Sequence, residues 1–223
     1  MKKRLSCIIM VVLLLSSSVC AKASVATESP NAPSDLFIDL YSEVFSGTDS
    51  YEIYTREGLC VTDSFVLEHY EAYVNSDFQA IWNDVLENGY VLKYGEPEYV
   101  QNPTNARATV TMTARSEWVY VLEPLDDLVK NKKLEFLYRI VGTYESNGRK
   151  ITSYDPPELE LNMTYPGDLF PYTVTPTYST TLNSGQTEIT YSVSFVIVVS
   201  YAYSEMVHKQ VGPYVAAVSG SAL

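Results

Sequence analysis

The stretch TEITYSVSFVIVVSYAYS, residues 187–204, has the clearest strand pattern in the chain. Every odd position after the first carries an apolar or aromatic side chain: Ile189, Tyr191, Val193, Phe195, Ile197, Val199, Tyr201 and Tyr203. Alternation with a period of two predicts a β-strand with one buried face. The segment SFVIVVSYAY within it is uncharged and β-prone, and such a strand aggregates when its edge is open. We therefore predict a central strand with a neighbour on each side.

The opposite face of this predicted strand is mostly Ser and Thr, but it becomes apolar towards the C-terminal end. Val196, Val198 and Ala202 supply the apolar side chains there. Apolar surface on a second face of a sheet needs its own cover from another layer. We expect N-terminal helices to dock at this place.

The chain from residue 91 to residue 223 keeps the same period of two. Further strands are predicted at 106–122, 134–144, 159–163 and 172–182. In the strand at 134–144 the alternation puts Lys133, Glu135 and Arg139 on the polar side, which predicts that they face water. Asn147-Gly148 is a typical two-residue hairpin turn. Residues 91–223 are therefore predicted to be one antiparallel β domain.

Residues 34–90 instead show helical spacing, interrupted by a short hairpin at 50–62. Ser34 is a suitable N-cap for the first helix. The second helix offers four side chains for packing: Phe65, Leu67, Tyr70 and Val74. A third helix follows it. The whole chain thus predicts an α+β fold that is mainly β, with N-terminal helices packed on an antiparallel β-sandwich or strongly curved sheet.

The N-terminus has the layout of a secretory signal. Basic residues come first, an apolar run follows at 7–15, and small residues lead up to Ala23. The run is too short to cross a bilayer, since a transmembrane helix needs about 20 apolar residues. Residues 1–23 are therefore predicted to be a signal peptide cleaved after Ala23, and residues 24–33 a flexible leader.

Cys20 offers a second route of processing, as a lipid attachment point. The lipoprotein route would make Cys20 the first residue of the mature protein and favours a small residue directly before it. Val19 stands at that position. Cleavage after Ala23 and secretion are therefore the main prediction, and lipid anchoring at Cys20 is the minority one.

Cleavage after Ala23 would leave 200 of the 223 residues, with a formal net charge near −16. A chain this acidic repels phosphate backbones, so we expect no nucleic acid partner. Cys60 would be the one remaining cysteine, so no disulfide is expected. No segment of the mature chain is apolar enough to predict a transmembrane helix. An exported chain without a disulfide framework indicates a bacterial surface or extracellular protein.

Motifs for catalysis are missing from the sequence. His69 and His208 are the two histidines, and with Cys60 they form neither a zinc-binding spacing nor a thiol-protease pattern. A G-x-S-x-G elbow and a glycine-rich phosphate loop are both absent. We therefore predict no catalytic residue, no metal and no cofactor. A secreted hydrolase that uses dispersed carboxylates is an alternative hypothesis.

The unusual enrichment is tyrosine, with 19 residues. Tyrosine supplies contact area at low entropic cost and a polar tip, which suits binding surfaces. Five tyrosines near turns or strand ends are the candidates for an exposed patch: Tyr94, Tyr99, Tyr154, Tyr165 and Tyr172. We predict a non-enzymatic module that binds protein or glycan. A curved sheet that encloses a small ligand is the remaining alternative.

Overall fold

The computed structural model describes residues 32–102, 109–125, 133–165, 171–202 and 206–222. The predicted signal peptide, Cys20 and most of the leader lie outside these ranges. Cleavage after Ala23 and attachment of lipid at Cys20 therefore stay predictions.

The described residues form three helices and eleven strands. The helices are α1 (Asp35–Phe45), α2 (Thr62–Val74) and α3 (Phe78–Asn88). The strands are β1 (Tyr51–Tyr54), β2 (Val91–Tyr94), β3 (Glu98–Asn102), β4 (Val110–Arg115), β5 (Trp118–Pro124), β6 (Lys133–Ser146), β7 (Ile151–Tyr154), β8 (Glu158–Tyr165), β9 (Tyr172–Leu182), β10 (Glu188–Ala202) and β11 (Met206–Ser221).

All strands pair antiparallel, in two sheets. The large sheet has the order β1-β2-β5-β6-β4-β3, and β7 and β8 pair with the other side of β6. The small sheet has the order β11-β10-β9, so β10 is the central strand that the alternation predicts. The two sheets pack face to face, and the three helices cover the far side of the large sheet. The predicted α+β, mainly β fold is confirmed.

Three tyrosines hold the two sheets together by reaching across the interior. Tyr138 and Tyr144 of β6 donate hydrogen bonds to the carbonyls of Val215 and Ser221 in β11, at 3.1 and 2.9 Å. Tyr191 of β10 donates in the opposite direction, to the carbonyl of Thr143, at 2.7 Å. A buried phenol needs such a partner, because an unmade hydrogen bond costs about 1–3 kcal/mol. The tyrosines on this face therefore serve the core and align the sheets.

Glycines make room for two of these rings. A Cβ built on Gly142 would lie 2.1 Å from the ring of Tyr191, and one on Gly220 would lie 2.4 Å from the ring of Tyr144. Each ring therefore lies directly on the backbone of the opposite sheet. This close approach is a packing requirement for glycine.

The helices pack on the large sheet, not on β10. Their core side chains include Phe37, Tyr41 and Trp82, which meet Tyr120 and Leu137 of the sheet. The predicted docking of the helices at Val196 and Val198 is therefore wrong. Both valines lie half-buried on the outer face of the small sheet. The large sheet is the middle layer, with apolar cover on both faces.

A break at Ser116 and Glu117 separates β4 from β5 and reverses the side-chain alternation. Met112 belongs to the core between the sheets, whereas Tyr120 belongs to the core under the helices. The predicted single strand at 106–122 is wrong for this reason. Strand β6 runs past the break, and the carbonyl of Ile140 accepts from the backbone N–H of Ser116 at 3.0 Å. One extra residue at such a bulge exchanges the two faces of a strand.

Lys133 and Glu135 are buried under the helix layer, at 2 % and 0 % exposure, so their predicted contact with water is wrong. They form an ion pair of 3.1 Å. Ser34 and the Tyr120 hydroxyl both donate to the Glu135 carboxylate. Ser34 also accepts from the Phe37 N–H as the N-cap of α1, as predicted. This cluster therefore joins the start of α1 to the middle of the large sheet.

Replacing Gly142 with Ala tests the contact between the sheets. The added Cβ must displace the ring of Tyr191, so we expect a loss of about 1–3 kcal/mol in the free energy of unfolding. The matched control is Gly185→Ala, where the added Cβ meets its nearest atom at 3.5 Å. That control should change stability by less than about 0.5 kcal/mol in urea denaturation. Equal losses in both variants would contradict the proposed close packing.

Replacing Glu135 with Gln tests the buried cluster. The change leaves Lys133 charged and buried without a counter-ion, which costs about 3–5 kcal/mol. The control Glu145→Gln alters an exposed carboxylate of the same strand and should cost less than about 0.5 kcal/mol. The double variant K133M/E135Q should recover part of the loss, because the uncompensated charge is gone. A Glu135→Gln protein as stable as the control would show that the ion pair contributes nothing.

Candidate functional site

A cleft of about 440 Å³ opens where the β1–β2–β5 side of the large sheet meets β11 of the small sheet. Its floor is apolar and includes Val91, Val119 and Val121 together with Tyr138. The size falls in the range of about 300–1,000 Å³ that is typical of small-ligand sites. The cleft is therefore the candidate site.

One wall of the cleft is a corner in β11 at Gly212 and Pro213. The pairing of β10 with β11 shifts there, between Phe195 and Ile197. Gly212 has φ +102°, and a Cβ at this residue would approach the Phe195 carbonyl oxygen to 3.0 Å. Glycine fits both the left-handed backbone and the close approach. The corner brings Tyr214 to the mouth of the cleft.

Polar side chains form a rim at the mouth of the cleft, and Glu123 is one of them. One of its oxygens lies 3.6 Å from Arg56 Nη2, and the other accepts a hydrogen bond from the Tyr214 hydroxyl. Burial, and then the negative charge of Glu123, raise the pKa of Tyr214 far above its usual value. Tyr214 therefore stays a neutral donor at the rim through the physiological range of pH.

A second polar group lies on the β1–β2 side of the mouth. Lys93 Nζ lies 4.4 Å from the centre of the Tyr54 ring, in a cation–π contact. The Tyr54 hydroxyl donates to Glu52. This hydrogen bond, with smaller contributions from burial and nearby acids, raises the pKa of Tyr54 to about 12. The rim thus presents two cations, Arg56 and Lys93, whose charges are partly balanced by carboxylates.

An aromatic cluster supports the inner end of the cleft. The Tyr214 ring meets Phe136 edge-on at a centroid distance of 5.0 Å and Phe195 at 5.4 Å. Tyr138 meets Phe195 edge-on at 4.9 Å. Rings packed in this way hold a fixed geometry. The inner end of the cleft is therefore backed by a closely packed aromatic cluster.

The lining of the cleft suits binding better than hydrolysis. Among the described residues that line it, Glu123 is the one carboxylate, and both of its oxygens already have partners. Glycoside hydrolysis by acid residues needs two carboxylates on either side of the bond that breaks. The arrangement can hold an apolar group on the valines and polar groups at the rim.

The five predicted tyrosines do not come together in one patch. Tyr99 of β3 and Tyr154 of β7 are 55 % and 48 % exposed, on the large sheet. Tyr172 is 40 % exposed at the start of β9, in the small sheet. Tyr165 lies beside the buried Lys133, at 5.5 Å from its Nζ. A binding role for these residues stays a prediction.

Tyr94 belongs to a row of partly buried side chains that crosses the large sheet and packs against the core under the helices. Its ring stacks on Tyr51 at 5.5 Å, and it lies opposite Trp118 in the pairing of β2 with β5. Arg139 covers the Trp118 ring at 4.4 Å and pairs with Glu160 at 2.6 Å. Tyr51 and Tyr94 cover one face of each other, and Arg139 covers one face of Trp118, so the row stabilises the sheet.

The cysteine and the histidines have separate surroundings. Cys60 is free and exposed, and its sulfur contacts the Thr62 hydroxyl at 3.4 Å. His69 is buried between the Phe65 carbonyl and Asp84, at 3.0 and 3.2 Å. His208 bonds Ser200 at 2.7 Å. Among the described residues, no three His, Cys, Asp or Glu side chains are grouped to hold a metal ion.

Within the described part of the chain, none of the helices combines the length and apolar character needed to cross a membrane. Comparison with protein-family models, curated proteins and solved structures finds no match for the chain. The assignment of the candidate site therefore rests on its geometry and not on any relative. The sequence contained a weak signal for it: Gly212-Pro213 interrupts an otherwise continuous strand pattern, as a bulge next to a site often does.

Proposed function

We propose that this protein is an exported, non-enzymatic binding module of a bacterial surface or extracellular space, and that its cleft binds a segment of a protein or glycan ligand. The observation that carries the proposal is the combination of an apolar valine floor with the polar rim of Arg56, Lys93 and Glu123. A few placed polar groups around an apolar pocket are typical of a binding site.

The contacts of the aromatic rings favour a protein ligand over a glycan. Sugars bind by stacking on open ring faces. Lys93 already lies over the Tyr54 ring, and the Tyr214 ring packs among Phe136, Tyr138 and Phe195. The aliphatic floor instead fits one apolar side chain of a peptide. Arg56 and Lys93 would then bind carboxylate or carbonyl oxygens of the same segment.

The proposal that the protein is exported rests on the composition of residues 1–23, and it can be tested directly. We expect the protein released by its native cells to have the mass of a chain that begins at Ser24, without acyl groups. The measurement is intact mass spectrometry of the culture medium and of a detergent extract of the cells. A diacylated chain that begins at Cys20 would contradict secretion and place the module on the membrane surface.

Binding at the cleft has a separate test, on peptide and glycan arrays probed with the labelled protein. Arg56→Glu and Lys93→Glu reverse the charge of the rim at side chains that are not buried. We expect array signals to fall about tenfold in each variant, since loss of a charge-assisted hydrogen bond costs about 1.5–3 kcal/mol. Signals on the peptide array would identify a protein ligand, and signals confined to the glycan array would identify a glycan.

The matched control for these variants is Arg149→Glu, in the exposed turn between β6 and β7. It makes the same change of net charge away from the cleft and should leave the signals unchanged. If the array signals fall equally in Arg56→Glu, Lys93→Glu and Arg149→Glu, the net charge of the protein controls binding, and binding at the cleft is contradicted. Signals that persist in the two rim variants would contradict binding at the cleft.

A further inference from the structure

Helix α2 has an apolar stripe on the side that faces away from the sheet. Leu67, Tyr70 and Val74 are 82 %, 59 % and 60 % exposed, although they were predicted to pack in the core. Other side chains of α2, among them the buried Phe65, pack on its inner side. Residues spaced by three and four lie on one helix face. These three residues, the α2 stripe, form a continuous apolar surface in contact with water.

Acidic side chains surround the α2 stripe. Asp63, Glu68 and Glu71 are exposed and, together with Leu67 and Tyr70, they line a shallow hollow on this side of the helix. Helix α2 contains no Lys or Arg. Apolar anchors with a charged rim are the usual composition of a surface that binds a protein.

The negative charge of the chain is concentrated in the layer that carries this stripe. Residues 34–90 contain 12 acidic side chains and one basic side chain, Arg56, whereas residues 91–223 contain 14 acidic and ten basic ones. Eight of the 12 acidic side chains, and no Lys or Arg, lie within the three helices, so the helix layer has a strong negative field of its own. Such a field attracts cationic partners and speeds their association.

We propose that the α2 stripe is a docking surface for a basic amphipathic helix of a partner protein. The stripe extends over two helical turns, about 10 Å along the axis, which is the length of a short helix–helix contact. Apolar side chains of the partner would cover Leu67, Tyr70 and Val74. Its Lys and Arg side chains would lie opposite Asp63, Glu68 and Glu71. This surface is separate from the cleft, whose lining shares no residue with it.

The charge distribution argues against the other occupants of an apolar helix face. A second copy of this chain would bring two acidic helix layers together, and like charges across an interface cost several kcal/mol. An anionic bilayer would repel the layer in the same way. A basic protein segment satisfies both the apolar stripe and the acidic rim.

The test uses two synthetic amphipathic peptides with identical Leu positions, one with Lys and one with Glu at every polar position. We expect the full-length protein to bind the Lys peptide in a fluorescence anisotropy titration and not to bind the Glu peptide. The double variant L67S/Y70S should weaken binding of the Lys peptide by about tenfold or more, because the apolar anchors carry most of the energy. Its fold should persist, since both side chains are exposed.

The control variant Met206→Ser changes an apolar side chain of similar exposure, 63 %, at the start of β11 in the small sheet and should bind the Lys peptide normally. Unchanged binding by L67S/Y70S would overturn the proposal, because the peptide would then be held by charge alone. A dimer of the wild-type protein in sedimentation equilibrium that L67S/Y70S abolishes would also overturn it, in favour of a second copy. The cleft variant Arg56→Glu should not weaken this binding, so the two sites can fail independently.

Discussion

The hydrogen bonds that tyrosines make across the sandwich set the constraint on which the rest of the structure depends. A phenol that crosses the interior must end at an acceptor, and its ring needs space at the opposite backbone. Tyr191 and Tyr144 meet both conditions from opposite sheets, each over a glycine and each ending at a carbonyl. The relative position of the two sheets is therefore the one in which Tyr138, Tyr144 and Tyr191 all reach their acceptors. That position also fixes the corner of β11 against β5, and with it the cleft.

Burial of the large sheet on both faces explains which parts of the fold could be predicted. The alternation in β10 was sufficient, because the small sheet has one face in the core and one face towards water. The same logic failed for Lys133 and Glu135, since a polar pair on the second face of a strand usually marks solvent. Here the helices cover that face, and one oxygen of Glu135 accepts from Ser34 and Tyr120 while the other faces Lys133. The bulge at Ser116 made a second prediction fail. It exchanges the two faces between β4 and β5, and a prediction from a constant period of two does not allow for such an exchange.

The candidate site was beyond prediction for a different reason. Its residues come from β1 and the loop that follows it, from the turn after α3, and from β2, β5, β6 and β11, and none of them stands in a local motif. Their convergence depends on the strand order of the large sheet, which a single sequence does not reveal, and on a corner that Gly212-Pro213 signals only weakly. The enrichment in tyrosine reflects two different structural roles. It marked core side chains that join the sheets, such as Tyr138, and it marked exposed side chains such as Tyr99, which lie apart from one another.

The separation of charge between the layers connects the two proposed surfaces. Arg56 is the one basic residue of the acidic segment 34–90, and it lies after β1, at the cleft beside Glu123, where Lys93 adds a second cation. The electrostatic character of the molecule therefore changes between the cleft and the α2 stripe, from mixed to strongly negative. A cationic segment would be drawn to the helix layer, whereas a ligand with carboxylate or carbonyl groups would be oriented at the cleft. Because one surface has mixed charge and the other is strongly negative, the two surfaces would select different ligands even when both ligands present the same apolar side chain.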